Sequence, residues 1–313
     1  MALAHWFNIT FNDNTSNKKL FFRLKFLHVD NTFLKEIYFN FDDSKKELLL
    51  DERSKKKLHL EELFKQYNFE YEIINLENVL EIEALNLKDL NKDELKNERK
   101  QKLKETNFSL VAKYLKIYEN ISKAGSFETD FTKILTRNFI FYYSRLNDFN
   151  KLIFGNNGES LVSGAFSSII KGRGFTTKEE IAYVDSRYLK GNPLILRPLK
   201  DFLDKEILLF NYMHKINAIP DALEIDFVRF NHKNNIPFKG NTDNLVQSFF
   251  DNLQSRMGST ITTVLGTTEK LKEQKEIHKE DIQNYKTCEF CLSYVDQVCN
   301  ILEIGSLDSI KNE

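Results

Sequence analysis

Residues 152–174 read LIFGNNGESLVSGAFSSIIKGRG. A short apolar run at 152–154 is followed by a Gly-Asn-Asn-Gly turn, then by small residues at helical spacing that end in Lys-Gly-Arg-Gly. This order is typical of a buried strand that leads through a ligand loop into a helix. Leu161, Ala165 and Ile169 repeat every four residues, so we expect them to face the sheet. Close packing alone explains the small residues equally well.

Strand and helix patterns alternate on both sides of this stretch. Strands are predicted at 20–30, 69–76 and 194–196, and helices at 2–7, 58–67, 108–123, 127–146 and 202–213. Pro198 holds Arg197 in an extended conformation and ends the last strand, and Asp201 is a candidate cap for the next helix. The pattern predicts an α/β fold, a Rossmann-like parallel sheet with helices on both faces.

Two boundaries follow from local composition. Residues 86–106 carry mixed charge almost continuously, which predicts a solvated helix or a flexible insertion. Pro220 and the polar run at 231–243 predict a long loop. We therefore expect an α/β domain at 1–220 and a helical region at 221–313. In the helix that opens this region, Leu245, Phe249 and Leu253 are expected to face inward.

Composition limits the classes of function. The 313 residues carry a net charge of −1, so any nucleic-acid surface must be a local patch. Only three cysteines are present, all between 288 and 299, which favours a reducing, cytoplasmic setting over a disulfide scaffold. No apolar window approaches the ~18 residues of a membrane helix, so no membrane association is predicted.

Two longer motifs carry a family resemblance. KGRGFTTKEEI (171–181), Asp185-x-Arg187 and LILRPLKDFLDKEILLFNY (194–212) resemble the second half of PP-loop ATPases that modify tRNA. LVQSFFDNLQSRMGSTITTVLGTTEKL (245–271), followed by CEFC (288–291), is similar to the cytoplasmic tRNA 2-thiolation protein 2 family. The resemblance extends from about 150 to 300, and before residue 150 it rests on strand–helix order alone.

This resemblance implies a role in 2-thiolation of the wobble uridine of lysine, glutamine and glutamate tRNAs. It implies a heterodimer with a catalytic thiolase subunit, binding of tRNA, and a thiocarboxylated ubiquitin-related modifier as sulfur donor. The alternative is that this chain is itself a catalytic ATP-dependent tRNA sulfurtransferase whose gene model is truncated, because the sequence begins inside the first helix pattern.

The resemblance also argues against ATP turnover by this chain. PP-loop enzymes hold pyrophosphate in a Ser-Gly-Gly-x-Asp-Ser turn after a first strand, and neither the turn nor that strand precedes the first helix pattern. The second loop, Gly155, Asn156, Asn157 and Glu159, is interpreted as a degenerate nucleotide loop. Only Glu159 is acidic there, so the acid pair that could hold magnesium is expected to be missing.

Six cations are candidates for contact with the tRNA backbone: Lys171, Arg173, Arg197, Lys200, Arg256 and Lys270. Lys171 and Arg173 stand between glycines at the end of a predicted helix. They fit a phosphate contact and equally fit cations that compensate a helix C-terminus, with Gly172 and Gly174 as cap residues.

The cysteines form half of a zinc knuckle. Cys288-x2-Cys291 can chelate one metal from a turn, and Cys299 could supply a third ligand. No fourth ligand is evident, so zinc binding and free thiols both remain open.

Overall fold

The computed structural model describes residues 2–12, 23–34, 43–65, 67, 69–81, 99–122, 127–185, 193–216 and 242–270. The helices are α1 Ala2–Asn12, α2 Asp43–Lys65, α3 Phe108–Ser122, α4 Phe127–Leu146, α5 Gly158–Ile170, α6 Thr177–Ile181, α7 Asp204–Met213, α8 Thr242–Arg256 and α9 Thr260–Thr268. The strands are β1 Lys25–Asp30, β2 Glu70–Asn75, β3 Lys151–Ile153, β4 Val184–Asp185 and β5 Leu194–Leu196. Short 3-10 helices occupy Leu76–Glu81 and Gly174–Thr176. The predicted α/β class is confirmed.

The strands form two small sheets. β1 and β2 pair in parallel along their whole length, and β5 lies between β3, its parallel neighbour, and β4, which runs antiparallel. The parallel prediction is therefore wrong for β4. Only a short connection joins β4 to β5, whereas a parallel crossover needs roughly a dozen residues or more. Arg197 directly follows the central strand of this sheet, as the sequence predicted.

Helix α4 packs against both sheets. Phe139, Tyr143 and Leu146 belong to the core cluster around β2 and α3, whereas Phe141 packs on Ile195 of β5. This helix therefore contributes to the packing of both sheets.

A second core lies among helices. Leu161 and Ala165 of α5 pack with Ile181, Val246 and Phe250 from α6 and α8, and with residues of α9. The expectation that these positions face the sheet is wrong, because a four-residue repeat defines the apolar face of a helix but not what covers it. Ile169, the third member of the repeat, is 42% exposed.

The inward face of α8 also differs from the prediction. Val246 and Phe250 are buried and Leu253 is half-buried, whereas Leu245 and Phe249 are exposed. Since both sets have helical spacing, only packing distinguishes them. Through this face α8 rests directly on α5, although the boundary at residue 220 itself remains a prediction.

The C-terminal end of the charged segment at 86–106 packs against the rest of the protein and is not fully solvated. Leu103 is buried in the first core, and its carbonyl accepts a 2.9 Å hydrogen bond from the Asn75 N–H. The Asn78 amide donates to the carbonyls of Lys102 and Glu105 at 3.0 and 2.9 Å. The prediction of a fully solvated 86–106 segment is therefore wrong for this end. Residues 82–98 lie outside the described residues.

The helix α7 is not capped by Asp201, the residue that the sequence suggested. Asp201 accepts a hydrogen bond from the Tyr183 hydroxyl, and the helix begins instead with the Leu203 N–H donating to the Glu206 carboxylate at 2.8 Å. Among the described helices, none is both long and apolar enough to span a bilayer.

Candidate functional site

The loop that the sequence singled out caps α5 with its own side chain. The Ser160 N–H donates to Asn157 Oδ1 at 3.1 Å, and the Asn157 N–H donates to Ser160 Oγ at 3.1 Å. The next amide, that of Gly158, donates to the Phe202 carbonyl at 3.0 Å. The backbone N–H groups of Asn157, Gly158 and Ser160 at the start of this helix are thus already engaged within the protein.

Gly158 is required by close packing. A Cβ at this position would lie 2.9 Å from the Lys200 carbonyl oxygen and 3.1 Å from a methyl group of Leu265. The glycine thus lets the start of α5 lie directly against the loop after β5 and against α9.

An acid pair does form at this loop, contrary to the sequence prediction. Asp204, the first residue of α7, accepts a hydrogen bond from the Asn157 amide. Burial is the main cause that raises the pKa of Glu159 to about 7. A hydrogen bond with Asp204 and the negative charge of the Asp204 carboxylate add to the shift. The loop sequence gives no sign of Asp204, because this partner comes from α7, which follows α6, β4 and β5 along the chain.

A cavity of about 180 Å³ opens beside the pair. Its walls include Glu159, Asp204 and Asp251, and Lys205 supplies one cation. Carboxylates from three helices repel the phosphates of a nucleotide. Within the described residues, no cluster of three or more His, Cys, Asp and Glu side chains has the arrangement of a metal site.

The Lys-Gly-Arg-Gly corner is a helix C-terminus. Gly172 has a φ of +78°. Its N–H donates to the Ile169 carbonyl at 2.9 Å, and the Arg173 N–H donates to the Ser168 carbonyl at 2.7 Å. These two bonds form a Schellman motif, which satisfies the last carbonyls of α5. Gly172 is therefore the cap glycine that one of the two sequence interpretations required.

The cations of this corner are engaged by carboxylates. Lys171 Nζ lies 3.0 Å from Asp130 and 2.6 Å from Asp243, and Arg173 lies 2.8 Å from the second oxygen of Asp130. Although burial opposes it, Lys133 and Lys171 hold the pKa of Asp243 well below its usual value. The corner therefore ties α5 to α4 and α8, and only Arg173 is partly exposed.

Arg197 and Lys200 are buried. Arg197 is 8% exposed and donates to the Asp185 carboxylate at 3.0 Å and to the Ala182 carbonyl at 3.0 Å. Lys200 is 2% exposed, lies 4.8 Å from the centre of the Tyr183 ring and pairs with Glu269. Burial argues against a phosphate contact by either side chain.

Two of the six candidate cations remain accessible. Arg256 ends α8, Lys270 follows α9, and both are exposed without an ion pair to another described residue. The metal ligands predicted at Cys288, Cys291 and Cys299 lie outside the described residues.

A buried ionic cluster closes the carboxyl ends of β1 and β2. Arg53 donates to Asp30 at 2.9 Å and, through both terminal nitrogens, to the Glu77 carboxylate at 2.8 Å each. Burial is also the main cause that lowers the pKa of nearby His28 to about 4. The Arg53 guanidinium thus lies at the edge of the sheet where open α/β folds bind ligands, and it is paired there with carboxylates of this chain. The sequence analysis missed this cluster, although Asp30 ends its strand pattern.

Comparisons with known proteins support the family resemblance. Residues 241–304 match the model of the family described as cytoplasmic tRNA 2-thiolation protein 2. Proteins of that name are 26% identical over 176 residues in Danio rerio and 32% identical over 138 residues in Drosophila mojavensis. These alignments cover 56% and 44% of this chain. The resemblance inferred from the sequence is thereby confirmed, while the matched part spans about a third of each relative, 33% and 31%.

A solved structure has a similar fold. The U34-tRNA thiolase NcsA from Methanococcus maripaludis, determined with its [4Fe-4S] cluster, superposes with a TM-score of 0.50 at 12% identity. The superposition covers 93% of this chain and 75% of the thiolase. At this identity the likeness shows the shared α/β fold alone.

Proposed function

We propose that this chain, a relative of the cytoplasmic tRNA 2-thiolation protein 2 family, is a subunit required for 2-thiolation of the wobble uridine. The product would be 5-methoxycarbonylmethyl-2-thiouridine in lysine, glutamine and glutamate tRNAs. The observation that carries the proposal is the match of residues 241–304 to that family. The α/β fold shared with a tRNA thiolase supports it.

Within such a complex the chain would act as a non-catalytic partner. The N-terminus of α5 is capped by Asn157, three carboxylates line the adjoining cavity, and Arg53 fills the end of the first sheet. The cap engages backbone donors that a phosphate would need, the carboxylates repel a phosphate, and the Arg53 guanidinium is already paired with Asp30 and Glu77. ATP activation would then belong to a catalytic thiolase subunit, with a thiocarboxylated ubiquitin-related modifier as sulfur donor. Zinc at Cys288, Cys291 and Cys299 remains part of the proposal.

Reconstitution tests this division of roles. The purified chain, a catalytic thiolase subunit and both together are incubated with ATP, a sulfur donor and unmodified tRNA, and 2-thiouridine is measured by mass spectrometry. The proposal expects product only from the mixture. Product from this chain alone would support the alternative, a catalytic sulfurtransferase, whereas unchanged 2-thiouridine in a deletion strain would remove the chain from thiolation altogether.

The exposed cations are the proposed tRNA contacts. Arg256→Ala and Lys270→Ala should each weaken tRNA binding and reduce the slope of log K against log salt by about one, because each phosphate contact releases counterions. Lys116→Ala on α3 removes an equal charge from another exposed position and serves as the control. Equal salt slopes in all three variants would contradict the assignment.

A further inference from the structure

Two histidines face each other where α1 meets α7. The ring centroids of His5, on α1, and His214, at the end of α7, are 4.9 Å apart. Phe210 and Tyr67 lie beside His5, each with a centroid separation of 6.0 Å. Aromatic rings thus surround His5, while His214 is exposed to solvent.

Two polar side-chain atoms on these two helices have no hydrogen-bond partner within the described structure. They are Nε2 of His5 and Oδ1 of Asn211, both buried. Asn211 belongs with Ile207 and Phe210 to the half-buried face of α7, and His214 follows at helical spacing on that face. Buried polar atoms are rarely left unpaired, so an unpaired nitrogen and oxygen on facing helices call for an explanation.

The spacing of the rings matches a shared metal ion. A metal lies about 2.1 Å from an imidazole nitrogen, so two rings on one tetrahedral ion have centroids roughly 5 Å apart. We propose that His5 and His214 bind a divalent transition-metal ion, and that water completes its coordination. Imidazole nitrogens favour Zn²⁺, Ni²⁺ and Cu²⁺ among such ions.

Such an ion would act as a clamp. α1 precedes β1 of the first sheet, whereas α7 begins at Asp204 beside the acidic cavity. A metal between His5 and His214 would therefore join the first helix to the element that supplies half of the acid pair. The ligands proposed here, His5 and His214, are different residues from the cysteines of the predicted zinc site.

Metal titration tests the proposal. The untagged full chain, with all three cysteines changed to serine to remove the competing thiolates, is stripped with chelator and titrated with Ni²⁺ by calorimetry. We expect one ion per chain. His214→Ala should weaken binding ~10-fold or more, since even residues outside the ligand shell change metal affinity by 10–100-fold. His59→Ala, a matched change on α2, should leave the affinity unchanged.

Spectroscopy tests the same site without any substitution of a histidine. Cu²⁺ bound to the cysteine-free chain should show electron-paramagnetic-resonance hyperfine splitting from two nitrogen ligands. Absence of saturable Ni²⁺ binding, a folded His214→Ala chain with unchanged affinity, or fewer than two nitrogens on Cu²⁺ would each overturn the proposal. Circular dichroism verifies that the variant is folded.

Discussion

Replacing Glu159 by glutamine should make the stability of the folded protein less sensitive to rising pH. In the folded protein the pKa of Glu159 is raised from 4.5 to about 7, chiefly by burial and then by Asp204. The folded state therefore holds this proton more tightly than the unfolded chain does. Its contribution to stability is complete below pH 4.5 and is lost as the pH rises through about 7.

The magnitude follows from the size of the pKa shift. Each pKa unit corresponds to about 1.4 kcal/mol, so the full shift would amount to about 3 kcal/mol. Because Glu159 is only half-buried, solvent screening reduces the expected effect to about 1–2 kcal/mol. Glutamine mimics the protonated acid: its oxygen can accept the Asp204 N–H, and its amide can donate to the Asp204 carboxylate.

Urea unfolding at pH 5, 6, 7 and 8 and constant ionic strength measures the effect. The Glu159→Gln chain should match the parent at pH 5 and exceed its free energy of unfolding by about 1–2 kcal/mol at pH 8. Glu62→Gln, the same change at an exposed position on α2, is the control and should follow the parent at every pH. If the free energy of unfolding of Glu159→Gln and of the parent depended on pH in the same way, the raised pKa of Glu159 would be refuted.

Three further substitutions test the packing around the site. Gly158→Ala should lower the free energy of unfolding by about 1–3 kcal/mol, because the new methyl group meets the Lys200 carbonyl at 2.9 Å; an unchanged melting temperature would contradict this contact. Arg53→Met should cost about 3–5 kcal/mol in urea unfolding, since it leaves the buried Glu77 carboxylate without its cation partner. Lys55→Ala on the exposed side of the same helix should cost under about 0.5 kcal/mol, and equal losses would disprove the role of burial. Gly172→Ala should cost about 1 kcal/mol, because its φ of +78° disfavours a side chain; a gain in melting temperature would count against it.

Local patterns identified the elements because each depends on neighbouring residues. The apolar run before the Gly-Asn-Asn-Gly turn is β3, the small-residue segment is α5, and Gly172 ends it. Backbone hydrogen bonds and caps are satisfied within a few residues, so their signals survive in sequence. The family resemblance likewise rests on contiguous motifs.

Partners across the fold could not be read in this way. Lys171 and Arg197 carry the same charge as Arg256, yet the first two are paired with carboxylates from distant elements and the third is exposed. Whether a cation meets a carboxylate or solvent depends on which helices pack together. No local spacing encodes that choice.

The residues of the chain are enough to predict the α/β order of elements and the resemblance to the cytoplasmic tRNA 2-thiolation protein 2 family. Only the tertiary structure decided that Asp204 joins Glu159, that Arg53 closes the first sheet, and that His5 meets His214. The two kinds of feature depend on interactions that reach over different distances along the chain. Backbone conformation is set by adjacent residues, whereas charge pairing and burial depend on side chains that folding alone brings together.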